Sequence, residues 1–395
     1  MFIESPRYTE RFGSVRMSHV QRVISLDSGG KSGLPSRGAM GVMKIDEETI
    51  RYFEDRMAIV IPTKDEKLRL LEGVVSGVPH DCLVIVVSNS QREGVDRFRM
   101  EGDALDQLCR YTRRQAFIIH QKDPAIAKAA MEADYDDLLD EDGLVRDGKS
   151  EAMIIGLLVA KAARKEYVGF IDADNYFPGS VLEYVRNYAA GFSLAQSPYS
   201  MVRILWRYKP KISAGLYFKK WGRISETTNK YLNSLISTKT GFETEVVITG
   251  NAGEHAMSMQ LAEIIPYASG YAVESQELIS LFENFGGILP TRESKAIEQG
   301  IDILQIETRN PHLHEERGNQ HLNEVLLSSM STIYHSPLCD KKVKRAILAE
   351  LINQGILKDG ESPSPVHINS PLRNIKVSKF IDAIRSDFAK YHVLQ

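Results

Sequence analysis

Four short apolar runs, each ending abruptly in polar residues, constrain this chain more than any other feature. They are Ala58–Pro62 (AIVIP), Leu83–Val87 (LVIVV), Ala116–Ile119 (AFII) and Tyr167–Ile171 (YVGFI). Uninterrupted apolar runs of this length, rich in β-branched residues, read as strands buried on both faces. Helical stretches separate them: Lys67–Val75 follows the first, and Glu151–Arg164 precedes the fourth with Met153, Ile154, Leu157 and Leu158 on one face. Strand and helix in alternation predict an α/β fold, a parallel sheet covered by helices on both sides. The runs lead into Thr63-Lys64-Asp65-Glu66, Ser88-Asn89-Ser90, His120-Gln121-Lys122-Asp123 and Asp172-Ala173-Asp174-Asn175. In open parallel sheets the ligand lies outside the carboxyl ends of the strands, so these tips define one crevice.

With 395 residues, the chain suits one large α/β unit plus an appendage. Met201–Leu205 and Thr244–Ile248 read as further strands of a mixed continuation of the sheet. From about Gly270 the pattern is mainly helical, with a Pro-containing linker over Gly360–Pro371 and a last amphipathic helix over Val377–Tyr391. A net charge of −3 excludes a global basic field for nucleic acid, so any anion site is local. The charged N-terminus and the short longest apolar run, Met153–Ala160, give no signal peptide or membrane span. Cys82, Cys109 and Cys339 are scattered and form no C-x-x-C, which fits a reducing cytoplasm.

Asp172 and Asp174 sit at i and i+2 after a buried strand. Both carboxylates project toward the same mouth, and they suit an octahedral Mg²⁺ or Mn²⁺ that also takes diphosphate oxygens. Gly143–Ser150 (GLVRDGKS) matches the P-loop pattern G-x-x-x-x-G-K-[ST], but acidic residues rather than a strand precede it. Lys149, at a helix start, still suits a phosphate or diphosphate. His312 and His314 lie in NPHLHEE and offer a third metal ligand. Gly250-Asn251-Ala252-Gly253 reads as a small-residue turn into a helix that lets backbone approach a ligand. The basic and aromatic stretch Arg203–Arg223 reads as a local site for a phosphorylated small molecule.

Taken together, PRYTERFG, IPTKDEKLRLLEGV, VVSNSQREG, HQKDP, YVGFIDADNYFPG, MVRILWRYKPK, FKKWGRISE, TGNAGEHAM, QIETRNPHLHEE and TIYHS make the chain resemble the mannosyl-3-phosphoglycerate synthase family over nearly its whole length. The resemblance implies a retaining GT-A glycosyltransferase, a Rossmann-like nucleotide-diphospho-sugar fold with a mainly helical C-terminal extension. It implies a catalytic unit over 1–265, and a unit over 266–395 that contributes to the acceptor and metal site. GDP-mannose is the implied donor, 3-phosphoglycerate the implied acceptor. A divalent metal, Mg²⁺ first and Mn²⁺ or Co²⁺ as alternatives, is the implied cofactor. By the same resemblance Asp174 and His314 hold the metal, with His312 as fallback. Pro62, Thr63, Lys64, Glu66, Ser88, Asn89, Gln121, Lys122, Lys149, Asp172, Ala173, Asp174 and Asn251 line the donor. Gly222, Arg223, Ser225 and Asn251 hold the acceptor, and Gly270-Tyr271-Ala272-Val273-Glu274 brings Glu274 near the reacting sugar, beside the catalytic Asp172, Asp174 and Lys149. Asp65 stands where other members often carry Asn. A glucosyl transferase using GDP- or UDP-glucose, and a P-loop phosphotransferase, are the alternatives. The C-terminal helices predict a homodimer.

Overall fold

The computed structural model describes residues 1–27, 41–175, 177–206, 209–212, 216–219, 223–312, 318–387 and 392–394. The four apolar runs form adjacent parallel strands, in the spatial order Ala116–His120, Leu83–Ser88, Met57–Thr63 and Tyr167–Phe170. Their register aligns the polar tips, with Thr63 opposite Ser88 and Ser88 opposite His120. Side chains alternate between two cores. Met57, Ile59 and Ile61 join Val84, Val86 and Ile118 under the helices Leu68–Gly77, Arg97–Thr112 and Pro178–Leu194. Ala58 and Val60 join Ile85, Val87 and Ile119 under Lys149–Ala162 and Val273–Phe285. Each fully buried Val or Ile contributes roughly 1.5–3 kcal/mol, so this double burial dominates the unit's stability.

The helix Lys149–Ala162 is more deeply enclosed than its sequence suggests. Every residue from Ser150 to Ala160 is buried, not only the face carrying Met153, Ile154, Leu157 and Leu158. Gly156 permits the close approach: a Cβ there would lie 2.3 Å from Val60 Cγ1.

Beyond Tyr167–Phe170 the sheet changes character. His255–Ser258 pairs antiparallel with it and with Ser200–Leu205, which runs parallel to Ile301–Glu307. Gln21–Ser25, Phe2–Glu4 and Val42–Lys44, with the hairpin Thr9–Phe12 and Val15–Ser18 paired to Ile301–Glu307, complete that side of a 13-stranded sheet. At the opposite edge His392–Leu394 pairs antiparallel with Ala116–Ile118. The region after 266 is mainly helical, yet it gives two strands, Ile301–Glu307 and His392–Leu394, to the sheet. The sheet therefore crosses the boundary expected at 265/266.

One sequence expectation needs correction. Thr244–Ile248 is not a strand. Its backbone groups are met by side chains: Val247 N–H donates to Asn233 Oδ1 (2.9 Å), Ile248 N–H donates to Gln305 Oε1 (3.0 Å), and Gln305 Nε2 donates to Val246 O (2.8 Å). The last helix is described over Val377–Asp387, and the rest of its expected span, 388–391, lies outside the described residues.

Candidate active site

Asp172 and Asp174 follow the strand Tyr167–Phe170, at the mouth where the four parallel strands end. Asp174 is 7% exposed. Lys149, the first residue of its helix, reaches across to bond Asp172 Oδ1 at 2.5 Å and Glu274 Oε1 at 2.9 Å. Burial alone would lower the ammonium's pKa, but the two carboxylates outweigh it and hold the group well above its ordinary range. Lys149 is therefore a permanent cation. Glu274 lies in the first turn of Val273–Phe285, where the helix dipole favours a carboxylate. The preceding turn Gly270–Ala272 brings it there.

Gly253 closes the other side. A Cβ at this position would stand 2.8 Å from Asp172 Oδ2 and 3.4 Å from Lys149 Nζ, so only glycine leaves room for the pair. The turn Gly250–Gly253 leads into the strand His255–Ser258 rather than the expected helix, because that segment is the sheet's antiparallel link. Asn251 Nδ2 donates to Ser329 Oγ at 2.8 Å, while its Oδ1 is buried without a hydrogen-bond partner.

Behind the carboxylate pair, Asn175 Nδ2 donates to Asp172 O (2.8 Å) and Glu254 Oε1 (3.0 Å). Burial, and then Asp172, push the Glu254 carboxyl up, and its Oε2 has no hydrogen-bond partner. Deeper still, Arg203 is fully buried. It donates to Thr249 O (3.0 and 2.9 Å), Glu274 O (2.9 Å) and Glu277 Oε2 (3.1 Å). His255 bridges Glu277 Oε1 and Ala252 O. The basic stretch that begins at Arg203 was expected to meet a phosphorylated molecule. Arg203 itself is a brace instead, tying the glycine turn to the Glu274 helix.

Along the tips expected to line the donor, Thr63 is buried at its strand tip, Pro62 is half-buried and Lys64 exposed. Glu66 O and Asp65 O both accept from Arg97 Nη2. Gln121 Nε2 donates to Arg146 O and Gly148 O, joining the third tip to the start of the Lys149 helix. Lys122 pairs with Asp140 (2.7 Å), and Asn89 Nδ2 donates to Asp147 Oδ1 (2.8 Å). Ser88 departs from its expected role facing base or ribose. It is fully buried, and its hydroxyl donates to Glu101 Oε2 at 2.6 Å, inside the fold. Ala173 is buried between the two aspartates, leaving the crevice to their carboxylates.

The P-loop reading fails on context. A loop and a single 3₁₀ turn, Asp136–Leu138, precede Gly143, and Glu151 Oε2 occupies the space beside Gly148 where a cradle would have to open. Gly222 and His314 lie outside the described residues. Arg223 begins the helix Arg223–Thr240, with Ser225 half-buried in its first turn. The fallback His312 is buried. Its Nδ1 lies 3.2 Å from Tyr184 OH, and its ring stacks on Trp206 at 4.3 Å. Glu183 shapes this loop by accepting from Arg309 N, Asn310 N and Asn310 Nδ2.

Among the described residues, no three His, Cys, Asp or Glu side chains gather into a ready metal cage. Asp172 and Asp174 supply hard oxygen donors beside a buried, unpartnered Glu254 oxygen, a donor set that fits a divalent cation sharing substrate oxygens. Sequence reasoning missed Glu101 under Ser88 and Glu254 behind the aspartates, and read Arg203 as a phosphate contact rather than a brace. A buried charge has no local signature, and only the fold shows its partners.

Comparison with known proteins bears on the fold and the family. A solved structure of glucosyl-3-phosphoglycerate synthase from Mycobacterium tuberculosis, in complex with Mn²⁺, UDP-glucose and phosphoglyceric acid, superposes with a TM-score of 0.50 at 19% identity, covering 82% of this chain and 94% of that one. The likeness is one of fold, and the chain has the GT-A fold with a helical C-terminal portion. The mannosyl-3-phosphoglycerate synthase of Pyrococcus furiosus is 48% identical over 389 residues, 98% of each chain. That of Aeropyrum pernix is 38% identical over 365 residues, 92% of this chain and 93% of the relative. With the family profile also matching residues 5–384, the chain belongs to the mannosyl-3-phosphoglycerate synthase family.

Proposed function

We propose that this chain is a mannosyl-3-phosphoglycerate synthase. It transfers mannose from GDP-mannose to the 2-hydroxyl of 3-phosphoglycerate, with retention at the anomeric carbon. The observation that carries the reading is the cluster of Asp172, Asp174, Lys149 and Glu274 at one strand-end crevice, in a chain nearly half identical to a named synthase.

The chemistry follows from the charges. As the sugar–phosphate bond breaks, negative charge builds on the diphosphate and positive charge on the sugar ring. A divalent cation, Mg²⁺ first, supplies charge to the diphosphate when held by Asp174 and Asp172. Lys149 adds a fixed ammonium at a helix N-terminus, where phosphate oxygens are also favoured. Glu274, bonded to Lys149, orients that ammonium and faces the cationic sugar. The acceptor hydroxyl attacks from the face the diphosphate leaves, and a departing phosphate oxygen takes its proton. Arg223 and Ser225, in the first turn of an 18-residue helix, hold the acceptor's phosphate or carboxylate. Gly222 and His314 complete the acceptor and metal sites. The active form is a homodimer; a monomer mass by light scattering would reject that part alone.

One assay tests the whole. Protein, Mg²⁺ and 3-phosphoglycerate are mixed in turn with GDP-mannose, GDP-glucose and UDP-glucose, and a new phosphorylated glycoside is sought. Product from GDP-mannose supports the reading. Product only from a glucose donor replaces it with the glucosyl reaction, and ATP-dependent phosphorylation with no glycoside rejects it.

A further inference from the structure

The three polar strand tips that line the nucleotide side meet at one buried carboxylate. Glu101 lies in the first turns of the helix Arg97–Thr112 and has no exposed surface. Its Oε2 accepts the Ser88 hydroxyl at 2.6 Å, and its Oε1 accepts the Ser90 hydroxyl at 2.6 Å. Ser90 Oγ in turn accepts from Asp65 N at 2.7 Å, which fixes the first tip where Asp65 adopts φ +55°. A non-glycine residue in that left-handed region is uncommon and needs outside support. Asp65 Oδ1 accepts from Gln91 N at 3.0 Å, tying the loops a second time.

The chain of bonds continues to the third tip. Lys122 N–H donates to His120 Nδ1 (3.1 Å), so Nδ1 is the acceptor nitrogen of a neutral ring. Nε2 then carries the proton and donates to Ser90 O at 2.9 Å. Burial lowers the imidazole's pKa, which agrees with a neutral ring. Ser88 O also accepts from Gln121 N at 2.7 Å. One carboxylate without exposed surface thus sets the positions of Asp65, Ser88–Ser90 and His120–Lys122.

We infer that Glu101 is a positioning residue for nucleotide recognition, holding the three donor-side loops in one register through Ser88 and Ser90. The inference rests on the donor reading above. It predicts an effect on the donor that the acceptor does not share, because among the described residues the side-chain bonds of Glu101, Ser88 and Ser90 end on the donor-side tips rather than on Asn251 or the helix that begins at Arg223.

The chemistry of a conservative change shows why. Ser90 Oγ already accepts the Asp65 N–H, so its own proton requires an acceptor. Glu101→Gln replaces one of the two acceptor oxygens with a donor and leaves one serine hydroxyl opposed by N–H. Ser90→Ala removes the link to Asp65 while keeping Glu101 and Ser88. GDP binding, with Mg²⁺ and without acceptor, is titrated calorimetrically for the full chain and both variants, and KM for each substrate is measured at saturation of the other. The expected result is a GDP affinity about tenfold weaker and a donor KM about tenfold higher in both variants, the effect of one misplaced polar contact. The acceptor KM stays within about twofold. Unchanged GDP affinity in a folded variant, or equal rises in both KM values, overturns the inference. If Glu101→Gln fails to fold, Ser90→Ala decides it. A wild-type chain that binds UDP but not GDP overturns the donor reading instead, and the same titration with UDP then tests Glu101.

Discussion

The two halves of the sheet solve the same problem differently. In the half proposed to bind the donor, the donor half, from Ala116–His120 to Tyr167–Phe170, parallel ladders satisfy the backbone and the side chains are apolar on both faces. In the other half, long polar side chains replace part of the ladder. Arg203 ties Thr249 and Glu274, Gln305 ties Val246, Ile248 and Thr249, and Glu183 ties Arg309 and Asn310. A ladder is set by local pattern, whereas a side-chain brace spans up to hundreds of residues of sequence. The donor half should therefore tolerate change in packing and lose chemistry only at its tips. The other half should lose geometry whenever a brace is cut.

The largest effect is expected at a tip. Asp174 sits past its strand and contributes little core volume, so Asp174→Ala should reduce transfer by about a thousandfold or more while the thermal transition stays near wild type. Substantial activity in that variant would move the metal site elsewhere. Next comes Gly253→Ala, at the junction of the halves. Its methyl would press on Asp172 Oδ2 and Lys149 Nζ. A displacement of a few tenths of an ångström at the reacting centre should cost on the order of tenfold to a hundredfold in kcat, with little change in melting temperature. If melting falls steeply and kcat does not, the turn is structural and its closeness to Asp172 has no catalytic meaning.

The same contrast explains what could be read from the sequence. AIVIP, LVIVV, AFII and YVGFI announce themselves because burial on both faces demands an unbroken apolar run, and their polar tips then locate the crevice. HAMS at 255–258 does not, since its polar ends and small residues resemble a loop. It was Thr244–Ile248, richer in β-branched residues, that looked like the strand. Periodicity weighs side chains alone, and here Asn233 and Gln305 amides supply what a neighbouring strand would have given. That Asp172, Asp174 and Lys149 share one crevice was legible because strand-end carboxylates and a helix-start lysine have positional meaning. Ser88 misled for the same reason: its strand-end position suggested the crevice, but its hydroxyl turns to Glu101.

Cutting a brace sharpens the comparison further. Gln305 is fully buried; its Oε1 accepts from Ile248 N and the Thr249 hydroxyl, and its Nε2 donates to Ser18 O and Val246 O. Gln305→Leu would strand these buried groups, each costing about 1–3 kcal/mol when unpaired, so a loss of about 3 kcal/mol or more in denaturant unfolding is expected. Val87→Ala in the donor half removes two methyl groups and should cost less, about 1–2 kcal/mol by transfer. Equal costs would show that the two halves do not differ in how they are held.

The donor half has its own exception, and it predicts a small effect that depends on pH. Glu54, 4% exposed on the buried face of the helix Glu47–Asp55, has an Oε1 without a hydrogen bond, and Arg186 Nε stands 3.9 Å away. Burial pushes its carboxyl from 4.5 up to about 7; Arg186 opposes the shift, and Glu47 adds to it. The folded chain therefore keeps a proton that the unfolded chain has released. Stability on account of Glu54 is complete below the unfolded value of 4.5 and declines as pH rises toward about 7. Glu54→Gln imitates the protonated form at every pH. Its melting temperature should match wild type near pH 4.5 and exceed it progressively up to about pH 7, with a plateau of no more than about 3 kcal/mol above that. Melting curves of both proteins across this range decide the matter. A difference independent of pH would mean that Arg186 neutralises Glu54 fully and that the folded chain keeps no extra proton there.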